Sequence, residues 1–271
     1  MTEISRYAAF TLDPAGGNPA GVVLDAAGLD DARMQEIAAE VGYSETAFVT
    51  GRDGDRFRVR YFSPLAEVPF CGHATVATAV ALGPGEHVFT TNAGAVPVRV
   101  DDSGTATLTS VDPHVGELPA ADLAALLAAL RWPAGDLDPE LPPRVAFAGA
   151  YHPIIAVTSR ARLADLDYDV PALKALMTER EWTTIQLVFR AGPESFDVRN
   201  PFPVGGVYED PATGAAAAAF GGYLRDLKLV PADATLALRQ GDDQGRPSRI
   251  TVRLDPTVSG VQVSGPAVPI S

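Results

Sequence analysis

The sequence predicts an α+β protein built as two pseudo-symmetric lobes, each a mostly antiparallel sheet around one buried helix. Three observations carry this. Phe57-Arg58-Val59-Arg60-Tyr61-Phe62-Ser63-Pro64 and Phe196-Asp197-Val198-Arg199-Asn200-Pro201-Phe202-Pro203 both read F-x-V-R-x-x-x-P, 139 positions apart. Gly72 to Leu82 and Gly214 to Leu224 are small-residue, apolar stretches, each opened by a glycine, 142 positions apart. The chain has 271 residues, 46% hydrophobic and 20% charged, enough for sizeable cores.

The elements follow in order. Asn18-Pro19-Ala20-Gly21-Val22-Val23-Leu24 resembles His152-Pro153-Ile154-Ile155-Ala156-Val157, and each reads as a strand that precedes a helix. The first helix is expected from Asp30 to Val41, with Met34, Ile37, Ala38 and Val41 on one face. The second is expected from Val170 to Glu181, with Leu173, Leu176 and Met177 on one face. Ser44-Glu45-Thr46-Ala47-Phe48-Val49 then aligns without a gap to Thr183-Thr184-Ile185-Gln186-Leu187-Val188, a strand entering the shared motif. The stretches at Gly72 and Gly214 are apolar all round, which marks buried helices. Strands are expected after them, at Ala95 to Val100 and Thr105 to Ser110, and at Arg249 to Leu254 and Val258 to Ser264. Asp112 to Pro143 holds an Ala/Leu helix, Ala120 to Arg131, in a Pro/Asp-rich setting. The expected organisation is an N-terminal lobe over 1–115, a linker with a helix over 116–143 and a C-terminal lobe over 144–271.

Composition excludes several functions. With 21 basic and 34 acidic residues the net charge is −13, and no Lys/Arg run supplies a basic patch. Neither a nucleic acid nor an anionic membrane surface is an expected partner. The apolar run Thr213 to Leu224 is too short to span a bilayer, which takes about 20 residues. Met1-Thr2-Glu3-Ile4 offers no basic n-region and no apolar stretch, so no signal peptide is expected. One cysteine, Cys71, forbids an internal disulfide and a Cys-based zinc cage, and fits a reducing cytoplasmic setting. Lys174 and Lys228 are the two lysines, both in helix-like surface patterns, which disfavours Schiff-base chemistry.

Two related lobes are expected to bind a ligand where they meet. Each glycine-opened helix starts with unpaired N–H groups and a positive dipole end, a place for an anion such as a small carboxylate. The halves differ where chemistry could sit. Glu45 matches Thr184, His73 matches Ala215, and Cys71 matches Thr213. Each candidate also has a plain structural reading. Glu45 would be a solvated carboxylate, His73 a helix-start residue with a satisfied ring and Cys71 a small buried apolar group. Asp210 would be an N-cap with Pro211 at N1, or both cap and site residue.

These residues resemble a family. Gly17-Asn18-Pro19-Ala20-Gly21-Val22-Val23-Leu24, Ser44-Glu45-Thr46-Ala47-Phe48, Pro69-Phe70-Cys71-Gly72-His73-Ala74-Thr75, Glu209-Asp210-Pro211-Ala212-Thr213-Gly214 and Gln240-Gly241 with Gly245-Arg246-Pro247-Ser248 look like the PhzF-like family of phenazine-biosynthesis isomerases. The motifs run from residue 17 to 248. The resemblance implies a diaminopimelate-epimerase-like fold with curved sheets, and a homodimeric enzyme free of cofactor and metal. It implies that Glu45 is the acid/base and that His73 and Asp210 bind and orient the substrate. Asn18, Ser44, Gly72, Gly214 and Ala215 complete the expected substrate-contacting set. Two departures stand out. Ala215 replaces the family serine, and Cys71 stands where many members have alanine and where related epimerases have one of two catalytic cysteines. The partner position here is Thr213.

Stereoinversion at a carbon usually takes a base on each face, whereas one carboxyl suits proton relocation on one face. The expected activity is therefore single-base isomerisation of a small carboxylated metabolite, similar to the phenazine-biosynthesis trans-2,3-dihydro-3-hydroxyanthranilate isomerase. The alternatives are a Cys71-dependent amino-acid epimerase or racemase, and a non-catalytic small-anion binding protein of the same fold.

Overall fold

Strands such as Arg56–Phe62, Thr235–Gln240 and Ser248–Arg253 alternate buried and exposed residues, whereas Tyr151–Val157 and Ser195–Pro201 are almost continuously buried, and the computed structural model, which describes residues 2–270, pairs the strands in two units. Unit 1 is Met1–Thr109 with Ser264–Ser271, and unit 2 is Ser110–Val263.

Unit 1 contains β1 (Ser5–Ala9), β2 (Asn18–Val23), α1 (Asp31–Val41), β3 (Glu45–Asp53), β4 (Arg56–Phe62), β5 (Glu67–Val68), α2 (Gly72–Leu82), β6 (Gly85–Thr91), β7 (Gly94–Val100) and β8 (Thr105–Thr109). Asp30 caps α1 by accepting from Arg33 N, and Gly42 ends it with a left-handed φ of 72°. Met34, Ile37 and Ala38 of α1 are buried with Val23, Phe48 and Phe62. Strand pairs β1–β2, β3–β4, β4–β5, β6–β7 and β7–β8 are antiparallel, while β2–β3 and β4–β6 are parallel. The last strand of the chain pairs with both β1 and β8, so the sheet of unit 1 closes on itself. Helix α2 packs against β1, β2, β3, β7 and β8. His73 to Ala79 are all buried, as an all-round apolar helix requires.

Unit 2 contains β9 (His114–Glu117), α3 (Ala120–Leu130), β10 (Arg144–Phe147), β11 (Tyr151–Val157), α4 (Arg160–Ala164), α5 (Val170–Glu179), β12 (Gln186–Gly192), β13 (Ser195–Pro201), β14 (Glu209–Asp210), α6 (Gly214–Asp226), β15 (Thr235–Gln240) and β16 (Ser248–Arg253). Its pairings repeat those of unit 1. Pairs β10–β11, β12–β13, β13–β14 and β15–β16 are antiparallel, and β11–β12 and β13–β15 are parallel. Even the register repeats. Phe48 faces Arg60 across β3–β4 as Leu187 faces Arg199 across β12–β13, each 139 positions on. Helix α6 packs against β9, β10, β11 and β16, with Ala216 to Leu224 buried.

Several expectations need correction. Residues 116–143 are no linker. They fold inside unit 2, where Leu126, Leu127, Leu130 and Trp132 pack with Leu173, Met177 and Trp182. The apolar face of α3 demands such a partner. The C-terminal lobe does not run to 271. β17 (Gln262–Pro269) starts in unit 2 and passes into unit 1, where Tyr7 faces Pro269. It also begins later than the strand expected at Val258. Finally, β2 pairs Ala20 with Glu45, whereas β11 pairs Ile154 with Gln186. Aligning Asn18 with His152 would have put Thr184 opposite Ile154, so that sequence match is two residues out of register. Among the described residues, no helix is long and apolar enough to cross a membrane.

Candidate functional site

In unit 1 the chain brings three separate motifs to the N-terminus of α2. Gly17 takes a left-handed φ of 64°, and a Cβ there would collide with the Ala9 carbonyl and the Thr11 side chain. That turn delivers Asn18 to the start of β2, where it is 1% exposed. Glu45 opens β3, and Cys71 is the N-cap of α2 with Gly72 and His73 as its first residues. Thr75 bonds back through Oγ1 to the Cys71 carbonyl at 2.7 Å and meets the Tyr61 hydroxyl at 2.7 Å, which fixes this first turn. Burial pushes the Tyr61 hydroxyl well above its ordinary range, so it stays neutral and supports the turn as a hydrogen-bonding group.

The side chains converge on the His73 ring. The Asn18 amide donates to Nδ1 at 3.1 Å. Ser44 Oγ and Glu45 Oε2 each lie 3.4 Å from Nε2. Cys71 Sγ lies 3.3 Å from Nδ1 and 3.5 Å from Glu45 Oε2. The orientation of the Asn18 amide assigns Nδ1 as acceptor and so places the single proton of the neutral ring on Nε2, on the side of Ser44 and Glu45. Burial pulls the His73 pKa down, against the opposing pull of Glu45 and of a hydrogen bond to the Pro19 backbone. His73 is therefore a neutral hydrogen-bonding group near neutral pH. Its side chain is 6% exposed and that of Glu45 14%, so the carboxylate is the accessible member. Cys71, which sequence reading leaves between buried filler and thiol base, is buried yet touches both. Glu45, Cys71 and His73 each offer a metal-ligating atom, and these atoms lie within 4.8 Å of one another.

Unit 2 gathers a second group. Asp210 is not the N-cap of α6. It lies in β14, opposite Asn200, and Thr213 holds the cap position. Three intervening residues carry the chain from strand to helix, so the Asp210 carboxylate reaches the helix start through another side chain. Thr213 Oγ1 donates to Asp210 Oδ2 at 2.6 Å. Gln240 locks this turn: its Oε1 accepts from Thr213 N at 3.0 Å, and its Nε2 donates to the Asp210 carbonyl at 2.7 Å. Gln244 donates to the same carbonyl at 3.2 Å. Gly241, at φ 78°, lets this happen, since a Cβ there would meet the Arg246 and Pro211 carbonyls. Gln240 and Gln244 were missed as site residues. The Gln240-Gly241 motif was the signal, but nothing in the sequence says which backbone it holds. Gly214 is buried and Ala215 half-buried at the start of α6. Neither Cys71 nor Thr213 caps its helix through its side chain, so the leading N–H groups of α2 and α6 remain available to an anion.

Comparison with known proteins agrees with the motifs. The family model "Phenazine biosynthesis-like protein" matches residues 7–271. An Escherichia coli K12 protein named "Uncharacterized isomerase YddE" is 35% identical over 285 residues, covering 98% of this chain and 95% of that one. The Pseudomonas aeruginosa trans-2,3-dihydro-3-hydroxyanthranilate isomerase is 33% identical over 269 residues, covering 95% of this chain and 93% of that one. A crystal structure of a Bacillus anthracis phenazine biosynthesis protein of the PhzF family superposes with a TM-score of 0.87 at 27% identity, covering 100% of this chain and 97% of that one.

Proposed function

Because this chain belongs to the phenazine biosynthesis-like protein family and is an isomerase, we propose that it relocates a proton on a small carboxylated metabolite, with Glu45 as the single acid/base and no cofactor. The carrying observation is the environment of Glu45. Its carboxylate is the accessible member of a mostly buried group and lies within reach of the His73 ring.

Glu45 takes a proton from a carbon next to an electron-withdrawing group and returns it to another atom on the same face. Such a transfer is worth about 10²–10⁴-fold. His73, neutral and held by Asn18, orients Glu45 through its Nε2–H together with Ser44. The N–H groups of Gly72 and its neighbours, at the positive end of α2, hold negative charge on the substrate. Asp210, kept in place by Thr213 and Gln240, has the substrate-orienting role. Gly214 and Ala215 present backbone N–H groups in the same role. Ala215 brings no hydroxyl, so the substrate need not be that of the P. aeruginosa relative. A cytoplasmic homodimer completes the reading. Light scattering tests the dimer, and particles of about 28 kDa alone at micromolar concentration would remove it.

The chemistry is tested by incubating the enzyme in D2O with cyclic and acyclic carboxylic acids that carry an acidic C–H. The expected product has changed connectivity of its double bonds and carries up to one solvent deuterium per turnover at the new C–H. A product of inverted configuration and unchanged connectivity would assign an epimerase instead, and binding without any exchange would assign a binding protein.

A further inference from the structure

We propose that the buried polar cluster of unit 2, formed by His152, Thr184, Gln186 and Asn200, is a binding site for internal water, held by the free ends of three of these side chains. The site stands whether or not Glu45 is the acid/base. The bonding inside the cluster is the first reason. His152 Nδ1 lies 2.9 Å from Thr184 Oγ1, and Asn200 Nδ2 donates to Thr184 Oγ1 at 2.9 Å and to Gln186 Oε1 at 2.8 Å. Each of the four residues is at most 1% exposed. Yet His152 Nε2, Gln186 Nε2 and Asn200 Oδ1 reach no hydrogen-bond partner. Among the described residues five buried side-chain atoms share that condition, and three of them stand here, which calls for one local cause. A buried polar atom without a partner is strongly unfavourable, and bound water is the usual remedy.

The chemistry of the free ends is the second reason. The bond between the two amides joins a nitrogen of one to an oxygen of the other. It therefore leaves one amide N–H and one amide oxygen, and turning both amides over only exchanges their places. A bare cation can meet the oxygen alone, and an anion the N–H alone. Water both donates and accepts, so it serves both ends. Burial pushes His152 down to about 4, so its ring is neutral near neutral pH and Nε2 either donates or accepts. Water suits both tautomers.

The third reason is the helix beside the cluster. Helix α6 packs against β11, the strand of His152. In unit 1 the matching helix brings Thr75 to Tyr61, and the two hydroxyls meet at 2.7 Å. Unit 2 has Asn200 139 positions after Tyr61, and Ala217 142 positions after Thr75. From Gly214 to Gly222, α6 carries no polar side chain. The helix therefore offers the cluster no side-chain hydrogen bond, and its short alanines leave space for a molecule of water's size. Water takes the part in unit 2 that the Thr75 hydroxyl takes in unit 1.

The test is a high-resolution crystal structure of the full-length chain, grown without ammonium salts. Ordered water should stand within about 2.7–3.2 Å of the free ends of His152, Gln186 and Asn200. In solution, magnetic relaxation dispersion of the solvent should detect long-lived internal water in the wild type. Gln186→Leu removes one free end and fills its space, and it should lose at least one such molecule. Circular dichroism checks that the variant folds, and the wild-type crystal decides alone if it does not. Free ends that pair with protein groups, an absence of solvent density beside them, density of an ion or a larger solute, or a folded Gln186→Leu variant with its full complement of long-lived water would overturn the site.

Discussion

Arg60 forks onto Glu67 in unit 1, with Nε to Oε1 and Nη2 to Oε2 both at 2.7 Å. Arg199 forks onto Glu209 in unit 2 at the same place in the repeat, with Nε to Oε1 at 2.9 Å. The two forks share geometry but not environment. The side chains of Arg60 and Glu67 are 22% and 28% exposed, those of Arg199 and Glu209 9% and 4%. In unit 2 the fork also receives the Leu163 and Ala164 carbonyls, which accept from Arg199 Nη1, and it anchors the strand that carries Asp210. The same device that trims a surface loop in one unit therefore sits inside the other.

The contrast sharpens at the position of Glu45. In unit 2, Thr184 stands there, and it joins a neutral buried cluster. Its Oγ1 meets His152 Nδ1 at 2.9 Å and accepts from Asn200 Nδ2 at 2.9 Å, while Asn200 also donates to Gln186 at 2.8 Å. Unit 1 gathers a carboxylate, a thiol and an imidazole around the matching strand. The two units share a scaffold, and at the matched positions unit 1 carries a carboxylate at Glu45 and a thiol at Cys71 where unit 2 carries Thr184 and Thr213.

The comparison can be broken first at the forks. Glu209→Gln removes the nearer of two counter-charges from the buried Arg199, leaving Asp243 Oδ2 at 3.9 Å from its Nε, and should cost about 3 kcal/mol. Glu67→Gln, in the solvent-screened fork, should cost at most about 1 kcal/mol. Urea unfolding of both variants measures the difference, and equal costs would mean that burial does not separate the forks.

The neutral cluster gives the next effect. Burial pushes His152 down to about 4 from its ordinary 6.5. Above pH 6.5 both folded and unfolded chains hold it neutral, so its full contribution to stability is present. As pH falls from about 6.5 to about 4, the unfolded chain takes up a proton that the folded chain refuses. Stability should fall by about 3 kcal/mol across that window and then level. His73, lowered in the same direction, adds to the slope. The non-titrating variant His152→Gln should flatten the profile, and an unchanged slope would place the acid sensitivity elsewhere. A smaller effect is expected from Thr184→Val, which keeps the shape but removes the oxygen that Asn200 donates to. Its cost should be about 1–3 kcal/mol in urea unfolding, and a neutral outcome would show that the cluster rearranges freely.

Much of this was legible in the sequence, and the rest fails for identifiable reasons. The shared Phe-x-Val-Arg motif exposes the duplication because Phe57 and Phe196 are core positions and Arg60 and Arg199 are fork positions. Their glutamate partners are hidden, since the loop in unit 2 is longer and only the fold brings Glu209 back to Arg199. The glycines at 72 and 214 mark helix starts because an all-round apolar helix must be buried. The match of Asn18 with His152 slipped because strands have a period of two. A shift of two residues leaves every side chain on the same face, so the pattern cannot detect it. The Asp/Pro content around α3 reads as linker, yet its leucines needed a core. The passage of β17 into unit 1 rests on a pairing of Tyr7 with Pro269, a separation that no local pattern encodes. At the candidate site, Glu45, His73 and Cys71 come together as the motifs suggest. The hold of Gln240 on the Asp210 backbone is a long-range contact and stayed invisible.

The most direct measurement compares substrate-dependent deuterium incorporation by Glu45→Gln and Cys71→Ala with that of the wild type, in chelator-treated buffer. Glu45→Gln keeps the size and hydrogen-bonding reach of the side chain but cannot exchange a proton, and should lose at least about 10²-fold. Cys71→Ala removes a small buried group and should stay within about tenfold, with a modest loss of stability. Exchange preserved in Glu45→Gln and abolished in Cys71→Ala would contradict single-carboxylate proton relocation and put the thiol in its place.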